Sequence, residues 1–204
     1  MQFVDFLKKR GVKLEGKAVD IGAGKGRNAV YLARLGFEVC ALEYIKAAAI
    51  VGKELAKARS VANNVNYFVT EVDKVWRFPD NYFSIAIDSF SSIDIETMQG
   101  REKCRDEMYR TLIPGGFALV NVCSINDEWE KELIEKYPGP EPNSTVWPQN
   151  GKFQKDYSEQ ELREFYKIFE VVELESIYKE ATKLGRKGTA TNFWAVLKKA
   201  KNCP

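Results

Sequence analysis

Apolar and polar residues alternate up to residue 123 in blocks that predict strands and helices in turn. Apolar runs such as KAVDIG (17–22) predict buried strands, whereas RNAVYLARLG (27–36) repeats its apolar residues at helical spacing. The five strands predicted in this region are at 17–22, 37–43, 65–72, 82–90 and 117–123. The helices predicted there are one around Phe3, Phe6 and Leu7, followed by 27–36, 46–63 and 96–113.

The last part of the chain has a different pattern. A capping box from Ser158 to Glu161 begins a predicted helix, and two predicted strands follow it at 170–181 and 191–200. The polar connection at 182–190 is too short for a crossover helix, so the two strands are predicted to form an antiparallel hairpin. Together these elements predict an α/β fold, a doubly wound, seven-stranded, mostly parallel sheet with an antiparallel C-terminal hairpin strand.

Length and charge narrow the classes of protein. The 204 residues suffice for one domain, 1–204, with a core of its own. The net charge of +2 does not support a dedicated nucleic-acid surface. No apolar stretch approaches the roughly 20 residues of a membrane span, and the N-terminus lacks the apolar region of a signal peptide. We therefore expect a cytoplasmic protein that binds neither nucleic acid nor membrane.

The residue types available for chemistry are restricted. The chain has no histidine, and Cys40, Cys104, Cys123 and Cys203 show no CxxC spacing, so we expect reduced thiols and no metal site. The lack of histidine excludes Ser-His-Asp and Cys-His nucleophilic catalysis. Any proton transfer must use a carboxylate, Tyr, Lys, Cys or water, which fits a reaction that depends mainly on positioning.

The segment DIGAGKGRN (20–28) places three glycines between a predicted strand and a predicted helix. In open α/β sheets a ligand binds beyond the C-terminal ends of the strands, and the first strand–loop–helix unit is the usual place. The spacing G-x-G-x-G differs from the G-x-G-x-x-G of dinucleotide-binding loops, because Arg27 stands where the third glycine would be. Asp20 also favours a cationic ligand over a pyrophosphate, since like charges repel. The alternative interpretation is an ordinary tight turn.

We expect a particular role for each glycine of this loop and for the acid at the end of the second strand. Gly22 lets the chain turn, Gly24 lets a ligand approach the backbone, and Gly26 allows close packing as the helix begins. A carboxylate at the position of Glu43 accepts hydrogen bonds from both hydroxyls of a ribose. We expect Glu43 to contact the ribose alone, so that its loss leaves the fold intact.

Several segments resemble the class I S-adenosylmethionine-dependent methyltransferases, and the resemblance covers nearly the whole chain. VDIGAGKGRN is similar to their first motif, ALE ending at Glu43 to their ribose-binding acid, and LIPGGFALV to their turn into the fifth strand. The C-terminal hairpin matches their antiparallel seventh strand. GRNAVYLARLGFEV and QELREFYKIFEVVELE resemble more closely the tellurite-resistance/thiol methyltransferase-like group of small-molecule enzymes.

The resemblance implies S-adenosylmethionine as the cofactor and S-adenosylhomocysteine as the product. The cofactor-binding residues that it implies are Asp20, Gly22, Ala23, Gly24, Gly26, Asn28, Glu43, Tyr44, Asp73 and Lys74. The acid that contacts adenine is either Glu71 or Asp73, which lie seven and five residues before Phe78 instead of the usual six, and we take Asp73. The histidine-bearing segment that the small-molecule group often has is absent, so the resemblance does not identify the substrate.

The acceptor side is predicted around the end of the fourth strand and the segment 124–157. Asp88 is the predicted base or the ligand of a substrate amine, and the alternative is a carboxylate that caps the following loop or helix. Segment 124–157 is rich in proline and aromatic residues and is predicted to be a substrate lid with a short helix at about 127–136. The predicted substrate-binding residues are Arg101, Trp129, Trp147, Phe153 and Tyr157. The alternatives are simple packing for the aromatic residues and a solvated helix face for Arg101.

These observations predict an enzyme that transfers a methyl group from S-adenosylmethionine to a small-molecule acceptor by in-line displacement. A protein acceptor is an open alternative, and so is a non-catalytic nucleoside-binding protein. An NAD-dependent oxidoreductase is disfavoured by the glycine spacing, by Asp20 and by the C-terminal hairpin. Both a monomer and a homodimer are compatible with the sequence.

Overall fold

The computed structural model describes residues 2–183 and 185–201. The strands in this part of the chain are β1 (Lys17–Ile21), β2 (Glu38–Glu43), β3 (Val65–Val69), β4 (Phe83–Ser89), β5 (Leu112–Cys123), β6 (Ser144–Val146), β7 (Phe153–Lys155), β8 (Glu170–Lys183) and β9 (Arg186–Lys198). The α-helices are α1 (Gln2–Lys9), α2 (Arg27–Arg34), α3 (Lys46–Ala58), α4 (Met98–Thr111), α5 (Glu128–Lys136) and α6 (Glu159–Phe165). Short 3₁₀-helices follow α3 and β4, at Ala62–Asn64 and Ser92–Asp94.

Seven of the described strands form one sheet in the order β3-β2-β1-β4-β5-β9-β8. Strands β1 to β5 are parallel to one another, and β9 runs antiparallel to both β5 and β8. The predicted fold class is thereby confirmed. The strand order reverses between β1 and β4, so the C-terminal ends of these two strands open the crevice in which such sheets bind ligands.

Apolar residues cover both faces of the sheet. Along β1, Ala18 faces one core, whereas Val19 and Ile21 face the other. Helices α1, α2 and α3 contribute to the first core, and α4 and α6 contribute to the second. The central strands are therefore buried on both sides, as is usual in a parallel sheet. This packing holds their C-terminal ends in fixed positions around the crevice.

Element boundaries differ from the prediction where local geometry overrides composition. Helix α3 ends at Ala58 and not at residue 63, because Ser60 has a φ of 58° that a right-handed helix cannot continue. The predicted connection at 182–190 is largely strand, with Thr182 paired to Lys187 across the hairpin. The hydrogen bonds that pair two strands join backbone groups, so the polar side chains of 182–190 did not indicate that the strands continue through this stretch.

The segment 124–157 contains the predicted helix, α5, and a small sheet that was not predicted. In that sheet β6 pairs antiparallel with β7, from Ser144 opposite Lys155 to Val146 opposite Phe153. Strands of three residues are too short to show the alternation from which a strand is predicted.

Three of the four cysteines lie in the described chain. Cys40 and Cys104 are buried free thiols, Cys123 is buried as well, and Cys203 lies outside the described residues. Within 2–183 and 185–201, no group of His, Cys, Asp and Glu side chains is arranged to hold a metal ion. No helix in those ranges has both the length and the apolar character needed to cross a membrane.

Candidate active site

The glycine loop is tied to β1 through the buried carboxylate of Asp20. Its Oδ2 accepts a hydrogen bond of 2.9 Å from the backbone N–H of Ala29, in the first turn of α2. Gly26 precedes α2 at the capping position and has no side chain to cap the helix, so Asp20 supplies this acceptor from the neighbouring strand. Burial raises the pKa of Asp20 to about 7. The predicted role of Asp20, to hold this region, therefore has a geometric basis.

The three glycines of the loop face different surroundings, although all have a positive φ. A Cβ atom at Gly22 would overlap Ser91 Oγ, and a Cβ atom at Gly26 would overlap Tyr67 Oη. A Cβ atom at Gly24 would have no protein atom within 4 Å. Two of these glycines are thus required by protein packing, and Gly24 is the one whose Cα faces open space.

Glu43 at the end of β2 binds the glycine loop directly. Its Oε2 accepts from the N–H of Gly24 and its Oε1 from the N–H of Ile45, each at 2.7 Å. The expectation that Glu43 contacts a ribose alone is therefore wrong. A carboxylate oxygen accepts more than one hydrogen bond, so both oxygens keep capacity for a ligand while the two amides fix their orientation. The carboxylate of Glu43 thus holds the end of β2 to the glycine loop.

A cleft of about 580 Å³ lies at the C-terminal ends of the central strands. Part of its lining, named here the glycine-loop wall, consists of Gly22, residues 43–45 and residues 71–73. The rest, named the lid wall, consists of residues 90–91 and 94–97 with Lys152 of the segment 124–157. The cleft is thus bounded by the two regions in which the sequence predicts the cofactor and the acceptor.

The predicted cofactor residues are divided between this cleft and its surroundings. Four of them line the cleft, namely Gly22, Glu43, Tyr44 and Asp73. Six lie outside its described lining, namely Asp20, Ala23, Gly24, Gly26, Asn28 and Lys74. Glu71 lines the cleft as well, so lining does not choose between Glu71 and Asp73. Lys74 Nζ lies 3.5 Å from Glu71 Oε2 and 3.4 Å from Asp73 Oδ2, and thus pairs with both acids.

Asp88 holds the loop that follows β4. Its side chain is buried, and its Oδ1 accepts from the N–H groups of Ser91 and Ser92 at 3.2 and 3.1 Å. Burial raises the pKa of Asp88. This geometry fits the alternative interpretation, a carboxylate that caps the following 3₁₀-helix, and the cleft lining described above does not include Asp88.

The aromatic residues predicted to bind substrate pack within the protein. Trp129 is buried beside Gly188 of β9, Tyr157 packs against Phe165, and Trp147 Nε1 donates to Gln154 Oε1 at 3.1 Å. Phe153 is also buried. Trp129, Phe153 and Tyr157 are buried, Trp147 bonds within the segment 124–157, and none of the four lines the cleft, which agrees with the packing alternative.

Arg101 is a buried ion-pair residue, so the alternative interpretation, in which it lies on a solvated helix face, is wrong. The side chain is fully buried; Nη1 donates to the carbonyl of Ile95 at 2.7 Å, and Nη2 pairs with Glu141. The guanidinium carbon lies 5.3 Å from the ring centroid of Phe153. Because Ile95 belongs to the lid wall and Glu141 to the segment 124–157, Arg101 joins these two parts and is not open to a substrate.

No residue of the lid wall was among the predicted site residues, and these unpredicted residues include Phe90, Asp94 and Lys152. Phe90 has a φ of 60° and is 40% exposed. Lys152 Nζ lies 2.5 Å from Asp94 Oδ2 and so connects the β6–β7 turn to the 3₁₀-helix after β4. Only the position of Phe90, the last residue of a predicted strand, carried a local signal. The ion pair joins residues far apart in sequence, which no motif marks.

The cleft lies where open α/β sheets bind ligands, and the comparison with known families identifies the class of the protein. A family model described as "Methyltransferase domain" matches residues 19–120, half of the chain. The chain therefore belongs to this methyltransferase family. The predictions of a class I S-adenosylmethionine-dependent methyltransferase and of its cofactor are confirmed. No curated protein sequence matches the chain.

Solved structures with the same fold include three informative neighbours. A SAM-dependent methyltransferase from Methanosarcina mazei has a TM-score of 0.83 at 18% identity, over 96% of this chain and 98% of that one. TehB from Haemophilus influenzae has a TM-score of 0.67 at 19% identity, over 97% and 61%. Burkholderia thailandensis 1,6-didemethyltoxoflavin-N1-methyltransferase, solved with 1,6-didemethyltoxoflavin and S-adenosylhomocysteine bound, has a TM-score of 0.69 at 16% identity, over 97% and 76%. At these identities the likeness is one of fold.

Proposed function

We propose that the acceptor of this methyltransferase is a small molecule that binds in the cleft between the glycine-loop wall and the lid wall. The observation that carries the proposal is the closure of the lid wall by Lys152, which reaches Asp94 from the segment 124–157. The cleft of about 580 Å³ lies within the range of roughly 300–1,000 Å³ that is usual for small-ligand sites. We therefore assign 124–157 as the lid segment.

The residues of the glycine-loop wall fit the cofactor. The open space above Gly24 admits a ligand, and the two amides that orient Glu43 leave its oxygens free to accept from two ribose hydroxyls. Tyr44, Glu71 and Asp73 lie further along the same wall, where they would meet the adenosine part. When bound, S-adenosylmethionine supplies a methyl group on a positively charged sulfonium, which the acceptor takes by in-line displacement.

The chain's own contribution is positioning and exclusion of water. Asp20 and Glu43 fix the glycine loop, and Asp88 fixes the loop after β4 through two backbone amides. Arg101 ties this second loop to the lid segment through Glu141. Aligned reactants in a closed site gain much of the rate without acid–base catalysis, which agrees with a chain that has no histidine.

The remaining features of the proposal follow from the sequence. We propose that residues 1–204 act as one domain, as a monomer or homodimer, in the cytoplasm. The nearly balanced charge and the buried free thiols of Cys40 and Cys104 support this. A protein acceptor is the competing candidate, and the closed lid wall weighs against it.

The first experiment is a calorimetric titration of the purified full chain with S-adenosylhomocysteine, with NAD as the control ligand. We expect S-adenosylhomocysteine to bind and NAD not to bind. Transfer from a labelled methyl donor to panels of small amines, thiols and oxyanions, compared with transfer to protein, then tests the acceptor class. Labelling of protein without labelling of any small molecule would contradict the proposal.

A matched pair of glycine variants locates the cofactor. Gly24 and Gly11 have φ values of 53° and 67°, and a Cβ atom would meet no protein atom within 4 Å at either position. Gly24→Ala and Gly11→Ala therefore carry similar backbone strain, but only the first puts a methyl group into the proposed cofactor position. We expect S-adenosylhomocysteine affinity to fall in Gly24→Ala alone. Equal affinities in the two variants would contradict the assignment.

A further inference from the structure

The lid wall of the cleft is acidic. Asp94 and Glu96 both line it, next to Phe90 and Thr97. Among the described residues that line the cleft, Lys152 is the one cation, and it is already paired with Asp94. The glycine-loop wall adds Glu43, Glu71 and Asp73. The site thus presents a negative field to whatever enters beside the cofactor.

The Asp94–Lys152 pair is unevenly buried. The Asp94 side chain keeps 29% of its surface exposed, whereas Lys152 keeps 49%. Burial raises the pKa of Asp94, and the Lys152 ammonium lowers it. A partly buried carboxylate is destabilised without a cation, while a long, half-exposed lysine side chain gives up its position at small cost. Lys152 is therefore a replaceable partner of Asp94.

Phe90 adds an aromatic face to the same wall. It has a φ of 60°, a left-handed conformation that is unusual for a bulky residue, and its N–H donates to the carbonyl of Asn121 at 2.9 Å. Its side chain is 40% exposed and lines the cleft. An aromatic ring beside a carboxylate offers a cation both a charge partner and a π face.

We infer that Asp94 selects an acceptor that carries a cationic amine, whose ammonium group takes the place of Lys152 Nζ on the Asp94 carboxylate beside Phe90. This inference rests on the proposed function. The ammonium is an anchor and not the methylated atom, because a protonated nitrogen has no lone pair to offer. An anionic acceptor, such as an oxyanion, meets Asp94 and Glu96 as like charges and is rejected.

The test uses three probes of similar shape and different charge on the full chain saturated with S-adenosylhomocysteine. They are 2-phenylethylammonium, 2-phenylethanol and 3-phenylpropionate, and the readout is the calorimetric dissociation constant. We expect the cation to bind at least about tenfold more tightly than the other two, the value of one charge-assisted contact. Because no methyl donor is present, the result does not depend on turnover.

Two variants shift this preference in opposite directions. Asp94→Asn removes the charge partner, so the tenfold preference for 2-phenylethylammonium is lost. Lys152→Met keeps the side-chain stem and removes the internal competitor, so affinity for this cation rises about two- to fivefold, the usual range for an exposed ion pair. Asp106→Asn is the matched control, since this exposed carboxylate on α4 pairs with Arg105 outside the cleft lining. It leaves all three affinities unchanged.

The outcomes separate this inference from the proposed function. Binding of S-adenosylhomocysteine with equal affinity for the three probes, or no measurable binding of the cation, overturns the inference alone. An unchanged preference in Asp94→Asn, or weaker cation binding in Lys152→Met, also overturns it. Failure to bind S-adenosylhomocysteine contradicts the proposed function itself.

Discussion

The two walls of the cleft are held by different kinds of contact. Around the glycine-loop wall, backbone N–H groups of Gly24, Ala29 and Ile45 donate to carboxylates that lie at most 19 positions away in sequence. The lid wall has a contact of this kind from Ser91 to Asp88, but side-chain pairs also connect it and the residues behind it to distant segments, as in Lys152–Asp94 and in Arg101–Glu141, 40 positions apart. A wall built from backbone contacts accepts few changes of shape. One built from side-chain pairs is altered by single substitutions, so acceptor specificity is expected to reside there.

The largest expected loss of stability is at Gly26, in the glycine loop behind the glycine-loop wall. In Gly26→Ala the new methyl group overlaps Tyr67 Oη and lies 3.3 Å from Gly52 Cα, at a φ of 84°. Left-handed strain of about 1–2 kcal/mol and overpacking of about 1–3 kcal/mol together lower the free energy of unfolding by about 4 kcal/mol. Urea unfolding of the wild type and of Gly26→Ala measures this loss in the free energy of unfolding. In Gly11→Ala, which has strain without overlap, we expect only about 1–2 kcal/mol. Equal losses would contradict the packing explanation.

The next largest loss is expected in the lid wall, at Arg101. Arg101→Met keeps the apolar stem but leaves Glu141 and the carbonyl of Ile95 without their partner. Removing one member of a buried pair lowers the free energy of unfolding by about 3 kcal/mol. Arg163→Met is the control, because its pair with Glu159 is exposed and is worth about 0.3–0.5 kcal/mol. A similar loss in both variants would show that burial of Arg101 adds nothing.

The same difference explains how much of the structure could be predicted from the sequence. The mostly parallel sheet and the glycine loop follow from local patterns, since strand periodicity, G-x-G-x-G and the position of Glu43 each lie within a short stretch. Family resemblance added the cofactor. The open space at Gly24 and the close packing at Gly26 agree with the parts predicted for them, whereas the contact that a Gly22 side chain would make with Ser91 was not predicted.

The lid wall could not be predicted in this way. Nothing near Arg101 in sequence indicates that Glu141 buries it, and nothing near Lys152 indicates Asp94. Arg101 and the aromatic residues of the lid segment were chosen by residue type, and type alone does not distinguish a packing residue from a binding residue. The contacts that decide it arise only when distant segments fold together.

Glu43 has two roles. Its carboxylate accepts hydrogen bonds from backbone N–H groups, and it is also the proposed ribose ligand. In Glu43→Gln one oxygen and the negative charge are lost, so we expect S-adenosylhomocysteine affinity to fall by about tenfold or more. Loss of a charged acceptor for Gly24 and Ile45 lowers the free energy of unfolding by about 1 kcal/mol. Glu38→Gln, at the opposite end of β2, is the control for calorimetry and unfolding. Lost binding with unchanged stability would show that the two backbone hydrogen bonds of Glu43 add nothing to the free energy of unfolding.

Each wall is supported by a buried carboxylate whose pKa is raised, which gives a pH-dependent prediction. Burial raises the pKa of Asp20 to about 7, and burial together with the charge of Glu130 raises that of Asp156, at the end of β7, to about 8. The folded state then binds a proton that the unfolded state releases near pH 4. This stability is present below about pH 4 and is lost as the pH rises through the folded pKa.

The comparison of each wild-type carboxylate with its Asn variant isolates this effect. The quantity to follow is the free energy of unfolding of the wild type minus that of Asp156→Asn. We expect it to fall by about 1 kcal/mol from pH 6 to pH 7 and to keep falling to about pH 8. For Asp20→Asn the fall should end near pH 7, because Asp20 accepts from a backbone amide. Urea unfolding at each pH gives these differences, and a difference that rises with pH would contradict the assignment.

The smallest expected effect is at Tyr67, whose hydroxyl separates the packing role of Gly26 from its backbone conformation. Tyr67 Oη is buried and has no hydrogen-bond partner among the described residues, and burial raises its pKa to about 12. Tyr67→Phe removes a polar atom that gains nothing from the fold, so the free energy of unfolding changes by less than about 0.5 kcal/mol or rises slightly. In the Gly26→Ala background the same substitution removes the overlapping atom and restores the packing part of the loss, about 1–3 kcal/mol. Additive effects in this double-mutant cycle would mean that Gly26 is needed for its φ alone.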